Sequence, residues 1–468
     1  MLRVILLLNL FLRVSILVLS LVCLFSSCEK YLDAKPNSNL LVPSSTDDLI
    51  KLLDYDPFMN NSSSMAGDFC SESFYYSDED YAYIPEESKY GYTWNDKMFT
   101  HATGDEDWQK EYNVVYYANI VLEGLDKIER TTQNMHDWDY CRGAALLFRA
   151  KSFYEVAQIW ALAYNSSTAS GDLGIPLRLD SDFNKPTHRA SLQDTYTQII
   201  NDLEEALQLL PLVQVHPFRP TKPAAYGFLA RTYLAMRDYN KAGIYADSCL
   251  QIRNGLIDYN EIDSTVFYPF GPIVFKNTED IMYSTLLGYT LDGYATLYYT
   301  ANIDRDFYNS YSSDDLRKSN FFKPKGNDDY YFVGMYGNRS GGGNLYNGLT
   351  TAEMYLIRAE SLARQEKVAD ALNDLNTLLK KRWRHGSFVP FVAENSEHAL
   401  RLILEERHKE LFMRGTRFTD IKRLNMEGRN IVLTRIANGE RFELLPNSNR
   451  FALPIPERVI QLTGIQQN

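Results

Sequence analysis

The stretch AEMYLIRAESLARQEKVADALNDLNTLL, residues 352–379, decides the fold class, because nearly all of it follows the apolar periodicity of two α-helices. On both sides of a short break at 365–367, apolar residues recur every three or four positions, as along one face of an α-helix. Just ahead of the first stripe, Thr350 is followed three residues later by Glu353, the capping-box pattern of a helix start. The stretch therefore predicts two helices separated by a tight turn.

A second stretch, residues 224–250, repeats the spacing of the first. Small and large residues stand at offsets 0, 3 and 12 in both stretches: Ala230, Tyr233 and Ala242 in one, Ala359, Leu362 and Ala371 in the other. Alanines let two antiparallel helices approach closely while larger residues fill the groove, as in the tetratricopeptide repeat with its period of about 34 residues. Since the copies are not in tandem, two ordinary helical hairpins remain the alternative.

Helical periodicity marks most of the remaining chain as well. It is found in residues 107–125, 142–163, 191–210 and 399–414, and the tail from residue 442 is predicted to be extended. Two regions, 60–105 and 255–348, have no sustained period, and 19 of the 33 tyrosines fall in them. The sequence thus predicts a mainly α fold with two aromatic-rich irregular regions on a helical scaffold, where binding usually resides.

The N-terminus has the features of an export signal. Residues 1–27 contain two arginines, no acidic residue and an apolar run that ends in small residues, which is typical of a secretory signal. A retained membrane helix is the alternative, and it would place Arg13 inside the membrane. Cys28 follows Ser26 and Ser27 as in a bacterial lipobox, with Phe25 where leucine is usual. Diacylglycerol on the Cys28 thiol is the prediction, and a free or disulfide-bonded Cys28 is the alternative.

Composition narrows the classes of partner. With 48 Lys and Arg against 60 Asp and Glu, the net charge is −12. This balance disfavours nucleic acid and anionic membrane surfaces, since both require clustered basic residues. The cysteines beyond the N-terminal segment, Cys70, Cys141 and Cys249, show no CxxC spacing, so neither a disulfide framework nor a zinc site is indicated.

Catalytic motifs find little support in the sequence. HExxH, GxSxG, Walker and Rossmann motifs are all missing from it. The cluster 105–107 offers paired carboxylates for glycoside hydrolysis, but acids at a solvated helix start explain it as well. The acids at 78–80 lack EF-hand spacing for calcium. We therefore predict a protein that is not an enzyme and has no metal or cofactor.

Several motifs occur in order along the chain. They are Cys28–Asp33 (CEKYLD), Trp108–Asn119, Arg149–Leu177, Glu353–Glu360 (EMYLIRAE), Glu405–Arg417, Leu453–Pro456 (LPIP) and the ending Gln466–Asn468 (QQN). As an ordered set they resemble the SusD/RagB family, the surface nutrient-binding lipoproteins of Bacteroidetes. Met413–Arg414 departs from this pattern, because many relatives have an aromatic residue and Glu there.

The resemblance implies a SusD-like fold with four tetratricopeptide-like helix pairs as its scaffold. It divides the chain into the signal 1–27, an N-terminal region 28–215 and a C-terminal region 216–468 that contains the irregular insertion 255–348. It also implies an outer-membrane lipoprotein, lipid-anchored and facing outside, that binds a glycan, or in some members a peptide. The implied partner is a SusC-like TonB-dependent transporter, on which the lipoprotein acts as a lid.

Two groups of residues are predicted to contact a ligand, because aromatic faces stack on sugar rings and nearby amides and carboxylates bond the hydroxyls. The first group is Tyr90, Tyr92, Trp94 and Asn95, and the second is Tyr289, Asp292, Tyr294, Tyr298 and Tyr299. The alternative is that these rings pack internally. A secreted glycoside hydrolase and a helical-repeat scaffold without a small ligand are the alternative functions, and which glycan or peptide binds is open.

Overall fold

The structure, a computed structural model, describes residues 43–100, 106–271, 276–287, 300–336 and 345–468. The predicted signal and Cys28 lie outside these ranges. Ser45–Asn468 form one compact unit, which contains most of both regions expected from the sequence. No helix among the described residues is long and apolar enough to span a membrane.

Helices dominate the described chain, as the sequence predicts. They are α1 Thr46–Leu53, α2 Asp56–Met59, α3 Ala66–Phe69, α4 Asp78–Tyr83, α5 Glu86–Tyr92, α6 Glu106–Leu125, α7 Met135–Trp160, α8 Leu192–Leu209, α9 Lys222–Ala235, α10 Tyr239–Ile252, α11 Arg305–Asn309, α12 Leu316–Phe321, α13 Thr351–Arg364, α14 Val368–Leu379, α15 Ser396–Glu410, α16 Arg417–Asn425 and α17 Glu457–Thr463. The predicted mainly α class is confirmed.

The strands are short and pair two by two. They are β1 Ser63–Ser64, β2 Phe74–Tyr75, β3 Leu173–Pro176, β4 Arg189–Ser191, β5 Asp280–Met282, β6 Leu286–Leu287, β7 Asn302–Ile303, β8 Phe322–Gly326, β9 Asp329–Phe332, β10 Leu349–Thr350, β11 Leu433–Ala437 and β12 Glu440–Leu444. Among the strands of the described residues, only β1 with β6 is a parallel pair, and β3–β4, β5–β10, β8–β9, β11–β12 and β2–β7 are antiparallel.

The scaffold is built from neighbouring helices that pack side by side. Helices α6 to α10 each contact the next along the chain, and α10 then packs on α13, which in turn packs on α14 and α15. Side-chain caps begin three of the helices, and the last of them is predicted from the sequence above: Ser45, Ser191 and Thr350 accept from backbone N–H groups at 3.2, 3.0 and 3.3 Å. Each cap satisfies a donor that the first turn leaves without a partner.

The two similar sequence stretches fold as equivalent units, α9–α10 and α13–α14. Their turns each contain one left-handed residue at the same offset, Arg237 with φ 63° and Glu366 with φ 62°. The turns also close with the same bond, from Asp238 N to Tyr233 O and from Lys367 N to Leu362 O, both at 2.9 Å. The repeated helix–turn–helix is therefore a structural repeat, while the total of four tetratricopeptide-like pairs stays a prediction.

The two units pack directly against each other through α10 and α13. A Cβ added at Gly243 would lie 2.2 Å from Ser361 Oγ, so the two helix backbones approach too closely for a side chain there. This contact places the second unit on the first although the irregular insertion separates them along the chain. The insertion therefore leaves the scaffold after α10 and returns to it at α13.

The C-terminal part contains more regular structure than the sequence indicates. Helix α15 ends at Glu410, where a last helix to residue 414 is predicted, and Met413 and Gly415 adopt left-handed φ of 56° and 72°. Beyond it the chain forms α16, the hairpin β11–β12 and α17, so the prediction of an extended tail is wrong in part. Asn438–Gly439 turns the hairpin with φ of 51° and 75°, a turn signal that the sequence does carry.

Buried ion pairs join the irregular insertion to the scaffold. Arg382 donates to Glu279 and to Glu410, both at 2.7 Å, and Arg317 donates to Glu410 at 3.3 Å. Glu279 and Arg317 belong to the insertion, Arg382 follows α14, and Glu410 ends α15. All four side chains are buried. Removing one partner of such a pair leaves a buried charge uncompensated. The pairs therefore hold the insertion in one position on the scaffold.

Candidate ligand-binding surface

The first predicted ligand group lies on α5 and the turn that follows. Tyr92 and Trp94 are each only 1% exposed, and Trp94 Nε1 donates to Cys70 O at 2.9 Å. The buried guanidinium of Arg435 lies 4.5 Å from the centre of the Tyr92 ring and 5.8 Å from that of Trp94. Both rings are therefore part of the core and offer no face to a ligand, as in the internal-packing alternative.

The other two members of this group differ from the buried rings. Tyr90 is half-buried and packs against the core, while Asn95 is exposed. Asn95 Oδ1 accepts from Lys97 N at 3.0 Å in an exposed turn. Asn95 is thus the one polar member of the group that a ligand can reach directly.

The second predicted group lies outside the described residues, and it comprises Tyr289, Asp292, Tyr294, Tyr298 and Tyr299. The strands on either side of it are described. Strand β6 pairs with β1, and β7 pairs with β2. Both β1 and β2 belong to the first irregular region, so the strands flanking the second group attach to the segment on which Tyr92 and Trp94 pack. The two aromatic-rich regions therefore meet in the fold.

Partly exposed tyrosines lie beside this meeting point. We call Tyr75, Tyr308 and Tyr330 the tyrosine cluster. Tyr308 and Tyr330 stack with ring centres 3.6 Å apart and planes inclined by 17°. Tyr75 Oη donates to Asp329 Oδ1 at 2.7 Å, and Arg305 Nη2 donates to the same oxygen at 3.1 Å. The cluster thus combines flat apolar faces with a hydrogen-bonded ion pair at its edge.

The scaffold holds the cluster through residues adjacent to each tyrosine. Phe307, next to Tyr308 on α11, packs on His408 and Phe412, with ring centres at 4.5 and 4.7 Å. His408 Nε2 lies 2.8 Å from Ser73 Oγ, two residues before Tyr75. Burial lowers the pKa of His408 to about 3, so this ring is neutral and the contact does not change near neutral pH.

A tight hairpin carries the third member. Tyr330 lies on β9, which follows the turn Asn327–Asp328 with φ of 53° and 60°. Two successive residues with positive φ match the right-handed twist of the strands that they join. The hairpin therefore has a defined register, in which Tyr330 pairs with Pro324.

The phenol groups of the tyrosine cluster are neutral and can form hydrogen bonds with a ligand. Burial, together with the bond to Asp329, raises the pKa of Tyr75 above its usual value. Burial also raises that of Tyr308, so both phenols stay protonated at neutral pH. Neutral phenols, an arginine and a carboxylate can bond the hydroxyls of a polyol while the rings contact its C–H face. Within the described ranges no group of three or more His, Cys, Asp or Glu could hold a metal ion.

Sequence reasoning did not single out Tyr308 and Tyr330. They belong to the tyrosine-rich second irregular region, but they are separated by 21 intervening residues and meet only through the β8–β9 hairpin. The alternation of FKPKG and DYYF around Asn327–Asp328 is a hairpin signal that could have placed them on one element.

Two protein-family models match long parts of the chain, one after the other. Residues 30–234 match the SusD-like_3 family, described as "Starch-binding associating with outer membrane", and residues 275–463 match SusD_RagB, described as "SusD family". No curated protein matches the chain.

Solved structures share the fold at low sequence identity. A SusD superfamily protein from Bacteroides thetaiotaomicron is 19% identical, with TM-score 0.72 and coverage of 91% of this chain and 99% of that one. A SusD superfamily protein from Bacteroides fragilis is 19% identical, with TM-score 0.71 and the same coverage. A SusD-like carbohydrate binding protein from Bacteroides vulgatus is 21% identical, with TM-score 0.67 and coverage of 90% and 97%. These structures share the fold of this chain, and the two family matches show that the chain belongs to the SusD/RagB family.

Proposed function

We propose that this protein is an outer-membrane lipoprotein, anchored through Cys28 and facing outside, which binds a nutrient glycan and delivers it to a SusC-like TonB-dependent transporter. The observation that carries the proposal is the family match over residues 30–234 and 275–463. One matching family is described as starch-binding and associated with the outer membrane. A peptide is the alternative ligand, and the proposed role is binding without catalysis.

The tyrosine cluster is the binding surface that supports this proposal. Its stacked pair is partly exposed, with the Lys318 ammonium 4.4 Å from the centre of the Tyr308 ring, and Tyr75, Arg305 and Asp329 present polar groups at the edge. Asn95 and Tyr90 from the first predicted group, together with the predicted residues between 289 and 299, are proposed to extend the contact. Binding on such a surface depends on ring faces more than on charge, which suits a glycan.

Removing one ring of the stacked pair should weaken glycan binding. We expect Tyr308→Ala to reduce the affinity for an oligosaccharide identified on a glycan array by about fivefold, because an aromatic contact is worth about 1 kcal/mol. Isothermal titration calorimetry measures the change. Tyr245→Ala is the matched control, since Tyr245 stacks on Tyr233 at 5.5 Å within the scaffold. Equal affinities of wild type and Tyr308→Ala for the oligosaccharide would show that the tyrosine cluster is not part of the binding site.

Replacing Cys28 should abolish membrane attachment. We expect Cys28→Ala to lose all label from radioactive palmitate and to move from the membrane to the soluble fraction, because stable anchoring requires acyl chains. Cys249→Ala should keep the label, since the Cys249 thiol is buried and donates to Pro223 O at 3.3 Å. Label that persists in Cys28→Ala would contradict the anchor.

A further inference from the structure

A cleft on the helical scaffold has no role in the function proposed above. It has a volume of about 250 Å³ and lies between α6, the loop 177–188 and α17. One wall is aromatic, since Trp108 and Tyr112 stack with ring centres 5.0 Å apart. Sites for drug-sized ligands have volumes of about 300–1,000 Å³, so this cleft suits something smaller, such as one sugar ring.

The loop that forms the opposite wall is held rigidly by α6. Asn119 Nδ2 donates to Arg178 O and Asp180 O, both at 3.0 Å. Glu123 accepts from Ser181 N at 2.7 Å and from Ser181 Oγ at 2.5 Å. These bonds fix a surface loop, so its conformation is set before any ligand arrives.

A second set of bonds fixes the loop from within. Arg178 Nη1 donates to Lys185 O at 2.9 Å and to Thr187 Oγ1 at 3.2 Å, and Arg178 also donates to Asp182 O. Lys185 and Asp180 form an ion pair at 2.8 Å. The loop therefore uses its own charged groups internally.

This rigid loop exposes a large apolar side chain beside the cleft. Phe183 lines the cleft and is 80% exposed, and Leu179 of the same loop is 47% exposed. Tyr116 lines the cleft from α6 and is 39% exposed. Apolar groups held out in water on a fixed loop are typical of a binding site.

The charges around the cleft favour an uncharged ligand. The bond from Lys185 holds the pKa of Asp180 below its usual value, and Arg178 is occupied by oxygen acceptors of its own loop. Lys185 offsets the Asp180 charge, and two neutral groups of the lining are left for a ligand: the Tyr116 hydroxyl has no hydrogen-bond partner within the described chain, and the Thr187 hydroxyl can still donate its proton. A ligand with a flat C–H face and several hydroxyls matches this combination of ring faces and neutral polar groups.

We propose that the cleft between α6 and the loop 177–188 is a second saccharide site, which takes one neutral pyranose ring against Tyr116 and Phe183. The inference rests on the proposed function for the class of ligand, but it uses none of the residues of the tyrosine cluster. Two sites on separate parts of one chain would let a branched or long glycan be held at two points, and each contact would raise the apparent affinity of the other.

Saturation-transfer NMR with methyl glycosides tests the site directly. The probes are methyl glucoside, methyl galactoside, methyl mannoside and methyl xyloside at millimolar concentration, with the full-length protein in detergent. We expect transfer to at least one of them, and a loss of at least about fivefold in affinity for Phe183→Ala and for Tyr116→Ala. Tyr83→Ala is the matched control, because Tyr83 is 84% exposed and does not line the cleft.

The outcomes separate this site from the tyrosine cluster. Transfer that survives Tyr308→Ala but is lost in Phe183→Ala supports a second site, whatever happens to oligosaccharide binding at the cluster. Four results overturn the proposal: no transfer to any probe, transfer unchanged in both cleft variants, tighter binding of benzyl alcohol than of every glycoside, or preference for glucuronate over glucose. None of the four bears on oligosaccharide binding at Tyr308.

Discussion

Arg382→Ala should destabilise the protein more than any surface substitution, by about 3–5 kcal/mol, because it leaves two buried carboxylates without their shared cation. The Arg382 guanidinium donates to Glu279 and Glu410, both at 2.7 Å, and to Ile257 O at 2.8 Å. It also lies 4.1 Å from the centre of the Tyr259 ring. Urea unfolding followed by circular dichroism measures the loss.

The reason for so large an effect is the place of Arg382 in the chain. It follows α14, whereas Ile257, Tyr259 and Glu279 belong to the irregular insertion, and Glu410 ends α15. One side chain thus ties three segments together, and the insertion carries the tyrosine cluster. We therefore expect Arg382→Ala to expose the insertion to proteolysis before the scaffold unfolds.

A surface ion pair and a compensating variant provide the controls. Arg429 pairs with Glu397 at 2.6 Å, but these side chains are 32% and 67% exposed, so Arg429→Ala should cost about 1 kcal/mol or less. Combining Arg382→Met with Glu279→Gln removes a charge from each side and should recover part of the loss. Stability of Arg382→Ala equal to that of Arg429→Ala would contradict the role assigned to the buried pair.

Local signals in the sequence predicted the scaffold well. Helix caps at Ser45, Ser191 and Thr350 depend on side chains three residues from their partners, and the repeated turns depend on short-range bonds. Such features are contained in a window of a few residues, so a pattern can reveal them. The turn at Asn438–Gly439 is equally local, so a sequence pattern can reveal this hairpin too.

The ligand contacts could not be predicted in the same way. Tyr92 and Trp94 stand among polar residues, yet they are buried because Arg435, far along the chain, inserts beside their rings. Tyr308 and Tyr330 form a stacked pair only after the β8–β9 hairpin brings them together. Whether an aromatic ring is buried or presented depends on long-range packing, and no local pattern encodes that.

Buried carboxyl groups predict an unusual dependence of stability on pH. Burial raises the pKa of Glu111 from 4.5 to about 7, and burial raises the pKa of Asp68 and Asp280 to about 7 as well. Their contribution to stability is complete below the pKa of the unfolded chain, and it is lost as pH rises toward 7, because the unfolded carboxyls release their protons first. We therefore expect the melting temperature to fall between pH 5 and pH 7.

Other carboxyl groups act in the opposite direction at lower pH. Against the cost of burial, Arg417 holds the pKa of Glu72 at about 2, and Arg407 and Arg423 hold that of Asp420 at about 2. The stability that these groups contribute is present above the pKa of the unfolded chain and is lost as pH falls from about 4 toward 2. The melting temperature should thus have its maximum in mildly acidic solution, near pH 4–5.

Glu111→Gln isolates one of the raised groups. The Glu111 side chain is fully buried, and neither of its carboxylate oxygens has a hydrogen-bond partner in the described part of the chain. Glutamine keeps its shape and cannot ionise, so relative to wild type the variant should gain about 3 kcal/mol of stability between pH 4.5 and pH 8. Urea unfolding at both pH values measures this, with the exposed Glu129→Gln as the control. An equal change of stability with pH in both variants would contradict this prediction. It would mean that ionisation of the buried Glu111 costs the fold no more than ionisation of the exposed Glu129.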